Sequence, residues 1–213
     1  MTAVVVKLGG SHALSQRLST LAVTIASATV PTLVVPGGGP FADVVRDTQA
    51  AIGFDDRAAH RMAILAMAQF AEALANRFGL PLVSTAKDVA TATALPGASI
   101  WSPLGMALDE ETLPHSWDLT SDSIAAWLAA RIASSALALV KPTLPAGVAS
   151  SQQAVTAGLV DPWFPVMAES FGGPVWIIGP DGGPALEALV QGRSPDRSGA
   201  VQLSTAGVAA RVG

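Results

Sequence analysis

Short valine-rich runs, each closed by glycine or proline and followed by helical sequence, constrain this chain most. Ala3 to Leu8, Thr32 to Val35, Leu137 to Val140 and Val175 to Gly179 are apolar throughout or nearly so. They are too short for buried helices and read as parallel strands covered on both faces. Helical sequence lies between them, from the Gly9-Gly10-Ser11 turn to about Ala28, then Phe41 to Ala51, Arg57 to Phe78, Ser121 to Ala133, and Gly183 to Val190. The longest has Asp55 or Asp56 as its cap, Gly79 as its stop and Pro81 just beyond. Its apolar stripe is Ile64, Met67, Ala71, Leu74 and Phe78. Leu82 to Ser84 reads as a short strand, and Ser99 to Ser102 as an edge strand in the otherwise irregular Asp88 to Trp117. Ala200 to Leu203 closes the sheet. The expected class is α/β, with a mainly parallel sheet, helices on both faces, and ligands at the carboxyl ends of the strands.

Composition narrows the function. The 213 residues are 50% hydrophobic and 13% charged, enough for a full core and contrary to disorder. A net charge of -4 with no basic run argues against nucleic acid or an anionic membrane as partner. The absence of cysteine excludes disulfides, thiolate metal sites and a cysteine nucleophile. A mean hydropathy of +0.47 raises the membrane question. The uncharged stretches Ser19 to Ala42 and Val89 to Leu108 are broken by proline and glycine, so neither reads as a spanning helix. The chain opens on a strand-like run with no basic region before it, and the expected location is the cytoplasm. The helix from Arg57 to Phe78 has few charges on any face, which implies a subunit interface and a homodimer or higher oligomer.

Four places have the residue types for chemistry. Lys7-Leu8-Gly9-Gly10-Ser11 joins a strand to a helix, where glycines admit an anion close to free amides and Lys7 adds charge. A tight turn with an extended lysine explains the same residues equally well. Pro36-Gly37-Gly38-Gly39-Pro40 follows another strand and suits an exposed row of amides. Gly37-x-Gly39-x-x-Ala42 also fits a loosened dinucleotide fingerprint, but helical sequence surrounds the acids Asp55 and Asp56 where that fingerprint needs a strand. Thr120-Ser121-Asp122-Ser123 opens a helix, with Thr120 or Ser121 as an ordinary cap and Asp122 able to orient lysines. Lys141, one of three lysines, directly follows the strand Leu137 to Val140. His12, His60 and His115 share no metal-ligand spacing, and Asp109-Glu110-Glu111 reads as a solvated run, so no metal site is expected in the protein itself.

VVVKLGGS, VVPGGGPFADVVR, TSDSIAAWLA and WIIGPDGGPALEALVQG, in this order, resemble the amino-acid kinase superfamily. DRAAHRMAILAMAQF is most similar to its small archaeal and methylotroph branch, which includes the kinase of [5-(aminomethyl)furan-3-yl]methyl phosphate of methanofuran and methylofuran biosynthesis. The resemblance implies a three-layer αβα sandwich with an acceptor lobe over about 1–135 and a nucleotide lobe over about 136–213. It implies ATP with Mg²⁺ and a small phosphorylated acceptor. Lys7, Gly9, Gly10 and Ser11 match the loop around the transferred phosphoryl group, with Lys141 a further candidate for donor phosphates. Gly37, Gly38 and Gly39 match the acceptor-facing loop, Asp122 the acid that organises the lysines, and His60 is a candidate for the acceptor phosphate by position. Two stretches depart from the family pattern. Lys141-Pro142-Thr143-Leu144-Pro145 stands where a Thr-Asp-Val-Asp-Gly type motif is usual, and no lysine follows Lys141. A non-catalytic nucleotide- or oxyanion-binding protein on the same scaffold is therefore the alternative.

Overall fold

A computed structural model describes residues 2–10 and 16–205. Ser11 and His12 lie outside the described residues. Among these, one seven-stranded sheet runs in the order β3-β4-β2-β1-β5-β6-β7. The strands are β1 (Val4–Leu8), β2 (Pro31–Pro36), β3 (Leu82–Val83), β4 (Gly97–Trp101), β5 (Ala136–Val140), β6 (Val175–Ile178) and β7 (Ala200–Leu203). All pair in parallel except β7, which is antiparallel to β6. The helices are α1 (Arg17–Ala26), α2 (Gly39–Ile52), α3 (Asp56–Phe78), α4 (Ala86–Thr93), α5 (Ser121–Arg131), α6 (Ser151–Thr156), α7 (Phe164–Phe171) and α8 (Gly183–Val190).

Strand alternation sorts the core into two apolar layers, one on each face of the sheet. Val5, Leu33, Leu137, Leu139 and Ile177 point to the layer completed by α4, α5 and α7. Val4, Val6, Val34, Ala138 and Ile178 point to the other, where Leu21 and Ile25 of α1 and Leu186 and Leu189 of α8 cover them. The α/β sandwich expected from the alternation is therefore present. Helix α5 is buried on nearly every side, which fits its run of Ala, Ile, Trp and Leu. Asp55 is the cap of α3, accepting from the Ala58 amide at 2.8 Å, and Gly79 ends that helix at φ +66°.

Two sequence expectations need correction. β4 is not an edge strand, because the two-residue β3 pairs outside it. The stretch after Asp88 is not irregular throughout, since α4 begins at Ala86 with a Thr85–Asp88 capping box. The apolar stripe of α3 faces the core, with Ile64, Met67, Ala71 and Leu74 buried and Phe78 half-buried. The exposed large apolar side chains of this region are Phe41, Val44 and Ile52 on α2 and Leu65 on α3. Among the described residues no helix is long and apolar enough to cross a membrane.

Candidate active site

Strand order decides where the site forms. From β1 the chain builds outward through β2 and β4, then returns to lay β5 on the other side of β1. The order reverses between β1 and β5, and a crevice opens at the carboxyl ends of such a pair. Lys7 pairs in register with Leu139. Period-two alternation puts Val5 and Lys7 on the same face as Leu137, Leu139 and Lys141. That face is the one α5 covers, and Asp122 stands in the first turn of α5.

The three side chains meet there. Lys7 Nζ lies 2.9 Å from Asp122 Oδ1, and Lys141 Nζ lies 2.8 Å from both carboxylate oxygens. All are buried, with exposures of 5%, 7% and 5% for Lys7, Lys141 and Asp122. Burial alone pushes Asp122 up, but the two ammonium groups outweigh it and hold its pKa below the usual carboxylate value. Burial also pulls Lys141 down to about 8, opposed by Asp122 and aided by the like charge of Lys7. Two ammoniums sharing one carboxylate leave one positive charge facing the crevice.

The glycine loops close over this group by backbone contact. The Gly37 amide donates to the Leu8 carbonyl at 2.9 Å, joining the two loops. A Cβ on Gly10 would stand 2.2 Å from Gly39 Cα, and one on Gly37 would stand 2.6 Å from the Gly10 amide nitrogen. Gly39 adopts φ +56° as it opens α2. Glycine is required here by close approach as much as by turn geometry. Gly9 is buried and Gly10 half-buried beside these contacts.

On the outer side of the loops lies a cavity of about 510 Å³, lined by Gly10, Gly38, Gly39, Arg46, His60, Trp117 and Ser121 among others. Ile64, Met67, Leu119 and Ile124 give it apolar walls. His60 is 6% exposed, and its Nε2 has no hydrogen-bond partner among the described residues. Burial, with His115 and Arg61 nearby, lowers its pKa to about 4, so the imidazole is neutral at pH 7. Its ring centroid is 5.0 Å from that of His115. Arg46 stacks over Trp117 at 4.3 Å, and the indole Nε1 donates to Gln49 Oε1. Near Lys141 a second cavity, of about 390 Å³, is lined by Thr143, Leu144, Pro145, Pro180, Asp181 and Gly199.

Several residues stand differently from the sequence expectation. Neither Thr120 nor Ser121 caps α5 with its own side chain. The acceptor is Asp161, which takes hydrogen bonds from Thr120 N at 3.1 Å, Thr120 Oγ1 at 2.8 Å and Ser123 N at 3.1 Å, and also from Ser123 Oγ. Asp161 carried no motif, and its one sequence signal is an Asp-Pro turn after an apolar run. The acidic run at 109–111 is largely solvated as expected, with Asp109 and Glu111 exposed and paired at the surface with Arg61 and Arg57, and Glu110 half-buried and paired with Arg131. Arg46 and Trp117 also line the cavity, and no local motif marks either of them, Arg46 standing within α2 and Trp117 in a turn. Asp55 ends no strand and opens α3, so the dinucleotide fingerprint fails on structure as it did on sequence. Among the described residues no three His, Asp or Glu side chains cluster to hold a metal ion.

Comparison with known proteins agrees with this architecture. No family model matches the chain. A stretch of 96 residues is 29% identical to the [5-(aminomethyl)furan-3-yl]methyl phosphate kinase of Methanocaldococcus jannaschii. The match covers 45% of this chain and 44% of that relative, less than half its length. The crystal structure of uridylate kinase from Archaeoglobus fulgidus superposes with a TM-score of 0.67 at 18% identity, covering 96% of this chain and 100% of that one. UMP kinase from Ureaplasma parvum gives 0.69 at 15% identity, covering 95% and 98%.

Proposed function

We propose that this chain, a member of the amino-acid kinase superfamily by its fold, is an ATP-dependent phosphotransferase whose acceptor is itself a small phosphate ester. The product is then a diphosphate. The observation that carries this reading is the buried Lys7–Asp122–Lys141 group beneath two interlocked glycine loops. Its unbalanced positive charge faces the place where a phosphoryl group would be transferred.

The residues divide the work. Lys7 and Lys141 neutralise the charge of the donor phosphates, and Asp122 holds both ammoniums in register. The Gly9 and Gly10 amides line the transferred group, with Ser11 next in the same loop. Gly37, Gly38 and Gly39 hold the acceptor in line. An oxygen of the acceptor phosphate attacks the γ-phosphorus as the bond to the bridging β,γ-oxygen breaks and ADP leaves. The attacking oxygen already bears negative charge, so no general base is required. His60 offers to the acceptor phosphate its Nε2, which has no hydrogen-bond partner among the described residues. Since no metal cage is built from the described side chains, Mg²⁺ would arrive on the nucleotide phosphates and supply charge neutralisation there.

The cavity by Gly38 and His60 is lined by residues before 136, and the cavity by Thr143 and Asp181 by residues after it. This supports an acceptor lobe over about 1–135 and a nucleotide lobe over about 136–213. The apolar walls and Trp117 suit an acceptor with a small ring, and the name of the archaeal relative makes an aminomethylfuran phosphate the first candidate. Purified protein with Mg-ATP and a panel of phosphomonoesters, this one included, is expected to form ADP only with a matching acceptor. No ADP with any of them defeats the reading. The Pro142-Thr143-Leu144-Pro145 stretch favours one alternative, a nucleotide- or oxyanion-binding protein without turnover, and calorimetry with ATP beside the same assay separates the two. The exposed Phe41, Val44, Ile52 and Leu65 support a homodimer or larger oligomer.

A further inference from the structure

Asp161 lies in the connection between α6 and α7, outside every motif of the site. It is 7% exposed, yet its carboxylate serves another element altogether. Thr120 and Ser123 each give it a backbone amide and a hydroxyl, and the Trp163 amide donates to it at 3.1 Å. Thr120 and Ser123 flank the Asp122 turn on both sides. We propose that Asp161 is a positioning residue for phosphoryl transfer, clamping the first turn of α5 so that Asp122 holds Lys7 and Lys141 at their working positions.

Two physical effects converge on this assignment, which rests on the phosphotransferase reading above. The first is geometric. The opening turn of a helix has amides without intrahelical partners, and α5 has no side-chain cap of its own. Asp161 fills that role from a separate segment, so any shift of 161 shifts the turn that bears Asp122. A misplacement of about 1 Å at a reacting centre costs on the order of a hundredfold in rate. The second is electrostatic. The charged groups facing Lys141 are Asp122 from α5, Lys7 from β1 and Asp161 from the α6–α7 connection. Asp161 thus adds a second negative charge near Lys141, without an ion pair to it, and favours its protonated form. Burial and the neighbouring Asp122 raise the Asp161 pKa, while the donors from Ser123 and Thr120 hold it down. An ordinary helix cap would contribute only the first effect.

The test is Asp161→Asn in the full chain, which keeps an acceptor oxygen and removes the charge. The chain has only three lysines, Lys7, Lys87 and Lys141, so their ε-carbon NMR signals can be followed separately against pH. The expected result is a fall in kcat of about tenfold or more at an acceptor KM within about threefold. With it, the Lys141 titration midpoint should drop by about half a pH unit or more. Both changes are required, and either one missing overturns the assignment. Asp161→Glu, which restores the charge, should bring the midpoint back. If Asp161→Asn does not fold, Ser123→Ala removes one donor and keeps the charge. It should then lower kcat severalfold at unchanged KM, and an unchanged kcat overturns the proposal. If the wild-type protein forms no ADP, the phosphotransferase reading fails on that result alone. The Lys141 titration needs no substrate and still measures the coupling to Asp161.

Discussion

Lys7→Ala should abolish phosphoryl transfer and leave the fold nearly intact, and the structure explains the asymmetry. Removing one member of a buried ion pair usually costs about 3–5 kcal/mol, because the other charge is left buried alone. Here Asp122 keeps both contacts to Lys141 at 2.8 Å. The carboxylate stays neutralised, and the stability cost should fall below that range. The transition state has no such reserve. Losing one charge contact to the transferred phosphoryl group removes about 3 kcal/mol of stabilisation or more, on the order of a hundredfold in rate or greater. Lys7→Arg should not rescue activity, since a planar guanidinium cannot occupy a buried position under the Gly37–Gly10 contact as a compact ammonium does. Lys87→Ala, exposed on α4, is the matched control and should be neutral. ADP formation and urea unfolding midpoints of the three variants, measured side by side, check the argument. Turnover of Lys7→Ala within a fewfold of wild type would falsify it, and so would a loss of stability as large as that of the Lys7, Lys141 double variant, which strands Asp122.

Activity should decline as pH rises through about 8, where Lys141 loses its proton. Stability should not decline with it. An unfolded lysine holds its proton up to about 10.4, so the unfolded chain binds more protons over the window between, and stability rises there. A rate profile and urea midpoints from pH 7 to 10 test the pair, and parallel loss of both sinks it. His60 is a base depressed to about 4 in the fold. Stability should therefore fall as pH drops from about 6.5 toward 4, and His60→Leu should flatten that part of the curve. An unaltered acid slope in the variant counts against the buried neutral imidazole. Gly10→Ala forces a Cβ to within 2.2 Å of Gly39 Cα. It should separate the loops, cost about 1–3 kcal/mol of stability and reduce turnover, and a crystal structure with the loops still in contact would refute the packing argument. Light scattering at micromolar concentration should give at least a dimer, and a monomeric mass removes the proposed interface on α2 and α3.

What local sequence encodes and what it omits can be seen at individual residues. The buried strands announce themselves through runs such as VVVKL and ALALV, because a strand covered on both faces must be apolar at every position. The cap and stop of α3 are equally local, resting on Asp55 and Gly79. α4 and α6 were also written locally, as Thr85–Asp88 and Ser150–Gln153 capping boxes, but their apolar faces are too short for periodicity to stand out. Asp161 belongs to a different category. Its partners Thr120 and Ser123 are some forty residues away, and only tertiary structure turns an Asp-Pro turn into the cap of another segment's helix.

The same distinction explains the site itself. Lys7 and Lys141 each stood out at the end of a strand, and Asp122 at the start of a helix. Nothing near any of them says that they share one pocket. Their meeting depends on β5 returning to the flank of β1 after β2, β3 and β4 have been laid on its other side. With that order given, alternation along two parallel strands in register brings both lysines to one face. Once both lysines are buried on that face, a carboxylate between them is the least costly arrangement available to the fold. Position in the strand order, more than any loop signature, is what brings three charges from separate elements into one buried cluster.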